Sequence, residues 1–170
     1  MKHFLIEEET PIIHWPDINI KSKRVLDLGC GRWTASTFEG TTPYYFLNQG
    51  AEFVVGIDAC DKEIQFYSDL NLPNTLFKVL KLEDKNTFLE LINHHNINVI
   101  KSDIEGNESL FLDLKKDEMV NIESFYIEYH GDHMRDLLVA KLPELGFNIT
   151  RVGKMWIDGF GVVFAEKNSS

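Results

Sequence analysis

Arg24-Val25-Leu26-Asp27-Leu28-Gly29-Cys30-Gly31 is a short apolar run stopped by two glycines. Val25 to Leu28 reads as a buried strand, because a brief apolar stretch bounded by turn residues fits a strand covered on both faces. The glycines let the backbone turn sharply and approach a ligand without a Cβ clash. The stretch is therefore a strand running into a binding turn.

Working outward, an alternation sets in. Arg32 to Thr41 is a long polar loop, and Thr42-Pro43 reads as the N-cap and first position of a helix that closes before Gly50. Glu52 to Asp58 is a second strand, and Asp61 to Leu70 a helix with Ile64 and Tyr67 on one face. A turn at Asn71 to Asn74 leads to a third strand, Leu76 to Leu82. Asp84 caps a helix carrying Phe88, Leu91, Ile92 and His95. Its terminal His94-His95 pair complements the helix dipole.

Ile97 to Asp103 is a fourth strand, Gly106 to Lys116 a helix with Leu110, Phe111 and Leu114 inward, and Glu123 to His130 a fifth strand. Asp132 to Leu145 is helical. Phe147 to Val152 and Gly161 to Glu166 are strands separated by eight residues. Strands alternating with helices predict a parallel, doubly wound α/β sheet. Eight residues hold no helical crossover, so the last two strands must be antiparallel. The expectation is a Rossmann-like, seven-stranded, mostly parallel sheet with a C-terminal antiparallel hairpin.

Composition agrees with one globular domain. The chain has 170 residues, 44% hydrophobic and 12% aromatic, enough for a core. The domain is expected at 24–170, with 1–23 as an N-terminal segment packing on it. That segment is broken by Pro11 and Pro16 but rich in apolar side chains. A net charge of −10 disfavours a nucleic-acid partner. Lys21-Ser22-Lys23-Arg24 reads as a solvated strand entry. Cys30 and Cys60 form no Cys-x-x-Cys pair, so a zinc knuckle or redox dithiol has no support. Glu7-Glu8-Glu9 interrupts the early apolar residues, and no apolar run nears the roughly 18 residues of a membrane span. A cytoplasmic protein with reduced thiols, no membrane partner and a small-molecule acceptor is expected. The oligomeric state is not readable.

The acid in the turn narrows the ligand. Asp27 suits an ammonium group and would repel a pyrophosphate. The dinucleotide fingerprint needs a further glycine for helix packing, and Thr34 stands there. Both features favour S-adenosylmethionine over a nicotinamide cofactor. Asp58 ends the second strand where an acid hydrogen-bonds ribose hydroxyls in this fold class. It lies 27 positions after Gly31, the excess coming from the loop after the turn. The expected cofactor set is Asp27, Gly29, Cys30, Gly31, Asp58, Ala59, Leu82 and Asp103.

The fourth strand runs into Lys101-Ser102-Asp103-Ile104-Glu105-Gly106-Asn107-Glu108. Ligands of open α/β sheets sit outside the carboxyl ends of the strands, so Asp103 is expected to face the reactive methyl. Tyr126-Ile127-Glu128-Tyr129-His130 ends the fifth strand, and alternation puts Glu128 and His130 on one side. Asp-Leu-Gly-Cys-Gly resembles motif I of class I S-adenosylmethionine-dependent methyltransferases. Lys101 to Glu108 resembles the Lys-x-Asp-x-Glu-Gly-x-Glu signature of the FkbM-type members, and Glu128/His130 their Glu-x-His. The resemblance spans roughly Arg24 to Glu166 and implies O-methylation of a hydroxyl on a sugar or other small metabolite. The long loop with Arg32, Trp33 and Glu39, and the short N-terminal region, depart from it.

His130, with an unperturbed pKa near 6.5, is the expected general base, and Asp103 and Glu128 orient it or the acceptor. A Mg²⁺ ion on Asp103, Glu128 and His130 is a second possibility. Trp33, Tyr44 and Tyr45 offer an aromatic wall or plain packing. The alternatives are a noncatalytic S-adenosylmethionine-binding domain of the same fold and, less favoured, a nicotinamide-dependent oxidoreductase.

Overall fold

The computed structural model describes residues 19–32, 40–154 and 159–167. The N-terminal segment up to residue 18, with Trp33, Thr34 and Glu39, lies outside them. The seven strands make a mixed sheet that ends in the expected antiparallel hairpin. The chain divides into two compact units, 1–81 and 82–170.

In the first unit, β1 (Arg24–Leu28), β2 (Phe53–Asp58) and β3 (Thr75–Val79) pair in parallel in the order β3-β2-β1. Val25, Leu26, Leu28, Val54, Val55 and Ile57 are buried. Both faces of these strands are covered, which explains their near-continuous apolar sequence. Edge strand β3 leaves Leu76 and Val79 exposed. Leu28 pairs with Ile57, so β1 and β2 end level and Gly29 starts beside Asp58.

Helices α1 (Thr42–Asn48) and α2 (Asp61–Leu70) complete this unit. The cap of α1 is Thr41, one residue earlier than the sequence suggests, and its side chain accepts from the Tyr44 N–H. The reason is competition. The Thr42 hydroxyl donates to Asp27 Oδ2 at 2.5 Å and is not available to cap. Helix α2 has the predicted bounds, with Ile64 and Tyr67 buried, and stops at left-handed Asn71.

The second unit holds α3 (Lys85–His94), β4 (Val99–Ser102), β5 (Ser124–His130), α4 (Asp132–Glu144), β6 (Phe147–Lys154) and β7 (Phe160–Lys167). Strand β4 runs parallel to β5, which pairs antiparallel with β7, and β7 with β6. Asp84 caps α3 as expected, accepting from the N–H groups of Asn86 and Thr87. His95 is the residue just past its end.

The expected helix from Gly106 to Lys116 is not α-helical. It is a 3-10 helix at Glu108–Asp113, followed by another at Lys116–Met119. A period of three also places i and i+3 on one face. Leu110, Phe111 and Leu114 are therefore buried as predicted, although Leu114, at ψ 152°, breaks the run.

Phe111 meets Phe88 and Phe125 edge-on, and Phe125 meets Phe147 at 4.9 Å. Each such pair adds about 0.5–1.5 kcal/mol beyond area burial. The hairpin is pinned to β5 by Tyr129, whose hydroxyl donates to the Gly153 carbonyl at 3.0 Å. A Cβ on Gly161 would lie 2.1 Å from that carbonyl, so only glycine fits. No helix among the described residues is long and apolar enough to cross a membrane.

Candidate functional site

The turn after β1 is built from inside the first unit. Gly29 has φ 69°, a left-handed conformation that favours glycine. Gly31 is glycine for another reason. Its N–H donates to Asp58 Oδ2 at 2.9 Å, and a Cβ there would lie 2.8 Å from that oxygen. The second carboxylate oxygen of Asp58 accepts from the Cys60 N–H at 2.7 Å. Asp58 thus ties the turn to the start of α2 while keeping lone pairs for a ligand's hydroxyls. Asp27 is fully buried, with its carboxylate on Thr42.

Cys30 is buried and its carbonyl accepts from the Tyr67 hydroxyl at 2.6 Å. Burial pushes the Tyr67 hydroxyl well above its ordinary range, so it stays a donor. Tyr67 stacks on Phe77 at 4.4 Å, and Phe77 packs over Gly56, where a Cβ would be 2.5 Å from the ring. Beyond the turn, the Arg32 N–H and guanidinium both donate to Glu63, with the guanidinium 4.2 Å above the Phe66 ring. These hydrogen bonds hold the Glu63 carboxyl below its usual range. Ala59 is exposed beside Asp58, and Leu82 is buried in the second unit.

The second unit brings Asp103, Glu128 and His130 together. One ligand-type atom from each lies within 4.8 Å of the others. Strands β4 and β5 run parallel with Ser102 opposite Ile127, so Asp103 leaves β4 beside the end of β5. Glu128 and His130 share a side, as alternation predicts, with His130 Nε2 3.8 Å from Glu128 Oε1. Glu128 is 2% exposed. Burial first, then repulsion from Asp103, pushes its carboxyl up to about 7.

The residue that sequence reasoning did not assign a role is Glu108. It is 2% exposed and bonds to His130 Nδ1. That bond raises the histidine's pKa, against the opposing effect of burial. It also leaves Nε2 facing Glu128. Its sequence signals are its place in the acidic segment and at the end of the Lys101 to Glu108 resemblance, neither of which names His130 as its partner. Glu63 and Tyr67, which hold the turn from α2, were likewise assigned only to the helix. The cluster can accept a proton at Nε2 or take a cation.

Sequence comparison gives no match to a family model or to a curated protein. Solved structures do match. An S-adenosylmethionine-dependent methyltransferase from Mesorhizobium loti aligns at 13% identity over 89% of this chain and 94% of its own, with a TM-score of 0.58. A ribosomal protein L11 methylase from Lactobacillus delbrueckii subsp. bulgaricus aligns at 15% identity over 88% of this chain and 73% of its own, with a TM-score of 0.59. At such identities the likeness establishes the fold. This chain has the Rossmann-like fold of class I S-adenosylmethionine-dependent methyltransferases.

Proposed function

We propose that this chain is an S-adenosylmethionine-dependent methyltransferase that methylates a hydroxyl oxygen of a small metabolite or sugar. The observation that carries the reading is His130, held through Nδ1 by buried Glu108 with Nε2 turned toward Glu128. A base so oriented can take the proton that a hydroxyl loses as its oxygen is methylated. Glu108 then stabilises the imidazolium. The FkbM-type likeness of Asp103 to Glu108 and of Glu128/His130 supports oxygen as the acceptor atom.

The residues present fit the cofactor. Left-handed Gly29 and side-chain-free Gly31 expose main chain at the turn. Asp58 and Ala59 stand at the adjoining strand end, where a ribose is bound in this fold class. Asp27 and Cys30 are buried, so Cys30 would meet a ligand through main chain. S-adenosylmethionine, when bound, supplies the electrophilic methyl. The protein's own share is to position the acceptor oxygen and remove its proton.

Calorimetry with S-adenosylhomocysteine and with NAD, followed by methyl transfer from labelled S-adenosylmethionine across hydroxylated metabolites, tests the proposal. Binding of the former and transfer to an alcohol are expected. Binding of NAD instead would overturn the cofactor. Tight S-adenosylhomocysteine binding without transfer to any acceptor would favour the noncatalytic alternative.

A further inference from the structure

We infer that Asp103, Glu128 and His130 form a seat for one divalent transition-metal ion, with Glu108 as the carboxylate that orients the histidine from outside. The inference concerns binding of the ion and does not depend on the methyl-transfer reading.

The first observation is convergence. Three donor atoms from the ends of β4 and β5 lie within 4.8 Å of one another. Two metal bonds of about 2.2 Å span at most about 4.4 Å, so closure by a few tenths of an ångström suffices. The second observation is the state of the histidine. Its Nδ1 is committed to Glu108, which is 2% exposed, so Nε2 is the nitrogen presented to Glu128. Carboxylate, histidine and metal in that order is how proteins fix a ligating imidazole.

The third observation is Glu128 itself. It is 2% exposed, with His130 Nε2 3.8 Å from its Oε1. Asp103 repels it, and burying one carboxylate beside another is costly. Lys101, also buried, offsets one charge of the group. Asp103 and Glu128, with Glu108 behind the histidine, put three carboxylates at this strand end, a setting that suits a cation.

The donor set selects the metal class. Mg²⁺ and Ca²⁺ take oxygen ligands, whereas imidazole with two carboxylates suits Mn²⁺, Fe²⁺ or Zn²⁺. The donors therefore point away from the Mg²⁺ of the sequence reading. With an ion bound, His130 would be a ligand rather than a free base, and the metal would supply the acidification of an acceptor hydroxyl.

The test is titration of the EDTA-stripped full chain with MnCl₂, ZnCl₂ and MgCl₂ by calorimetry, with Mn²⁺ followed also by electron paramagnetic resonance. One equivalent of Mn²⁺ or Zn²⁺ is expected, with Mg²⁺ weaker by about tenfold or more. Asp103→Asn and Glu128→Gln should lose binding. Glu108→Gln should weaken it by roughly 10- to 100-fold. The surface variant Glu52→Gln should bind as the parent does. Circular dichroism identifies folded variants, and the near-isosteric Glu128→Gln is the one on which the outcome rests. No saturable Mn²⁺ or Zn²⁺ binding, equal binding of Mg²⁺, or unchanged binding by folded Glu128→Gln would overturn the inference. S-adenosylhomocysteine binding, measured in the same preparations, reports separately on the cofactor reading.

Discussion

The turn of the first unit and the acidic cluster of the second are both strand-end sites rich in carboxylates, yet they treat charge in opposite ways. At the turn, Asp27 takes the Thr42 hydroxyl, Asp58 takes two backbone N–H groups, and Glu63 takes the Arg32 guanidinium. Its acids are spent on holding the backbone. At the cluster, Glu128 and Asp103 repel each other, and the closest pairing joins Glu108 to His130. The difference separates a cradle held by its own hydrogen bonds from a charged site that gains stability from a proton or a cation. Substitutions in each site put that contrast to the test.

The largest effect belongs to the cluster. His130→Ala should lower methyl transfer by the metal-free protein by about 10²- to 10⁴-fold, the usual scale for losing a general base. Affinity for S-adenosylhomocysteine should stay near the parent's, because the cradle is intact. Steady-state kinetics on a true acceptor checks the first expectation and calorimetry the second. Undiminished turnover would dismiss His130 from the chemistry.

Next is Gly31→Ala, which strikes the cradle. The added Cβ would sit 2.8 Å from Asp58 Oδ2 and compete with the hydrogen bond from residue 31. Overpacking of this kind costs about 1–3 kcal/mol. A loss of S-adenosylhomocysteine affinity of about tenfold or more should accompany it, since 1.4 kcal/mol is tenfold in binding. Metal binding by the cluster should not change. A variant that binds the nucleoside normally would show that the turn is not the cofactor cradle.

These two sites were unequally legible in the sequence. The glycines of the turn and Asp58 announce themselves, because residues without side chains directly after a strand mark a sharp turn open to close approach. Glu128 and His130 were legible as a same-side pair, since strand alternation is rigid. Glu108 was not, because its partnership depends on a 3-10 helix where the spacing of Leu110, Phe111 and Leu114 suits an α-helix equally well. Helix α1 began one residue early for a similar reason. Thr41 and Thr42 are both good caps, and only the tertiary contact with Asp27 decides between them. The hairpin, by contrast, followed from chain length alone.

Tyr67→Phe probes how the cradle is held. It removes the hydroxyl that the Cys30 carbonyl accepts while keeping the ring stacked on Phe77. The expected loss of stability is about 0.5–1.5 kcal/mol, the net worth of an ordinary hydrogen bond. Chemical denaturation measures it. A loss no larger than experimental error would mean that stacking alone positions the turn.

The smallest effect is the most diagnostic, because it predicts a difference in sign. Glu63 and Glu128 are both carboxylates, and glutamine replaces either with little change in shape. Glu63 gains from its charge, since Arg32 holds its pKa below the unfolded value of about 4.3. Its contribution is therefore present above that value and is lost as pH falls through the depressed folded one. Glu63→Gln should lose up to about 1 kcal/mol at neutral pH, the scale of a partly exposed pair. It should lose nothing relative to the parent in acid. Glu128 is buried beside Asp103 and gains nothing from its charge in metal-free protein, so Glu128→Gln should melt at or above the parent in EDTA. Adding Mn²⁺ should reverse that order, because a ligand that binds only the folded parent stabilises it by mass action. A metal-free Glu128→Gln that melts well below the parent would mean that the cluster's charge is already balanced, and the contrast between the two sites would fail.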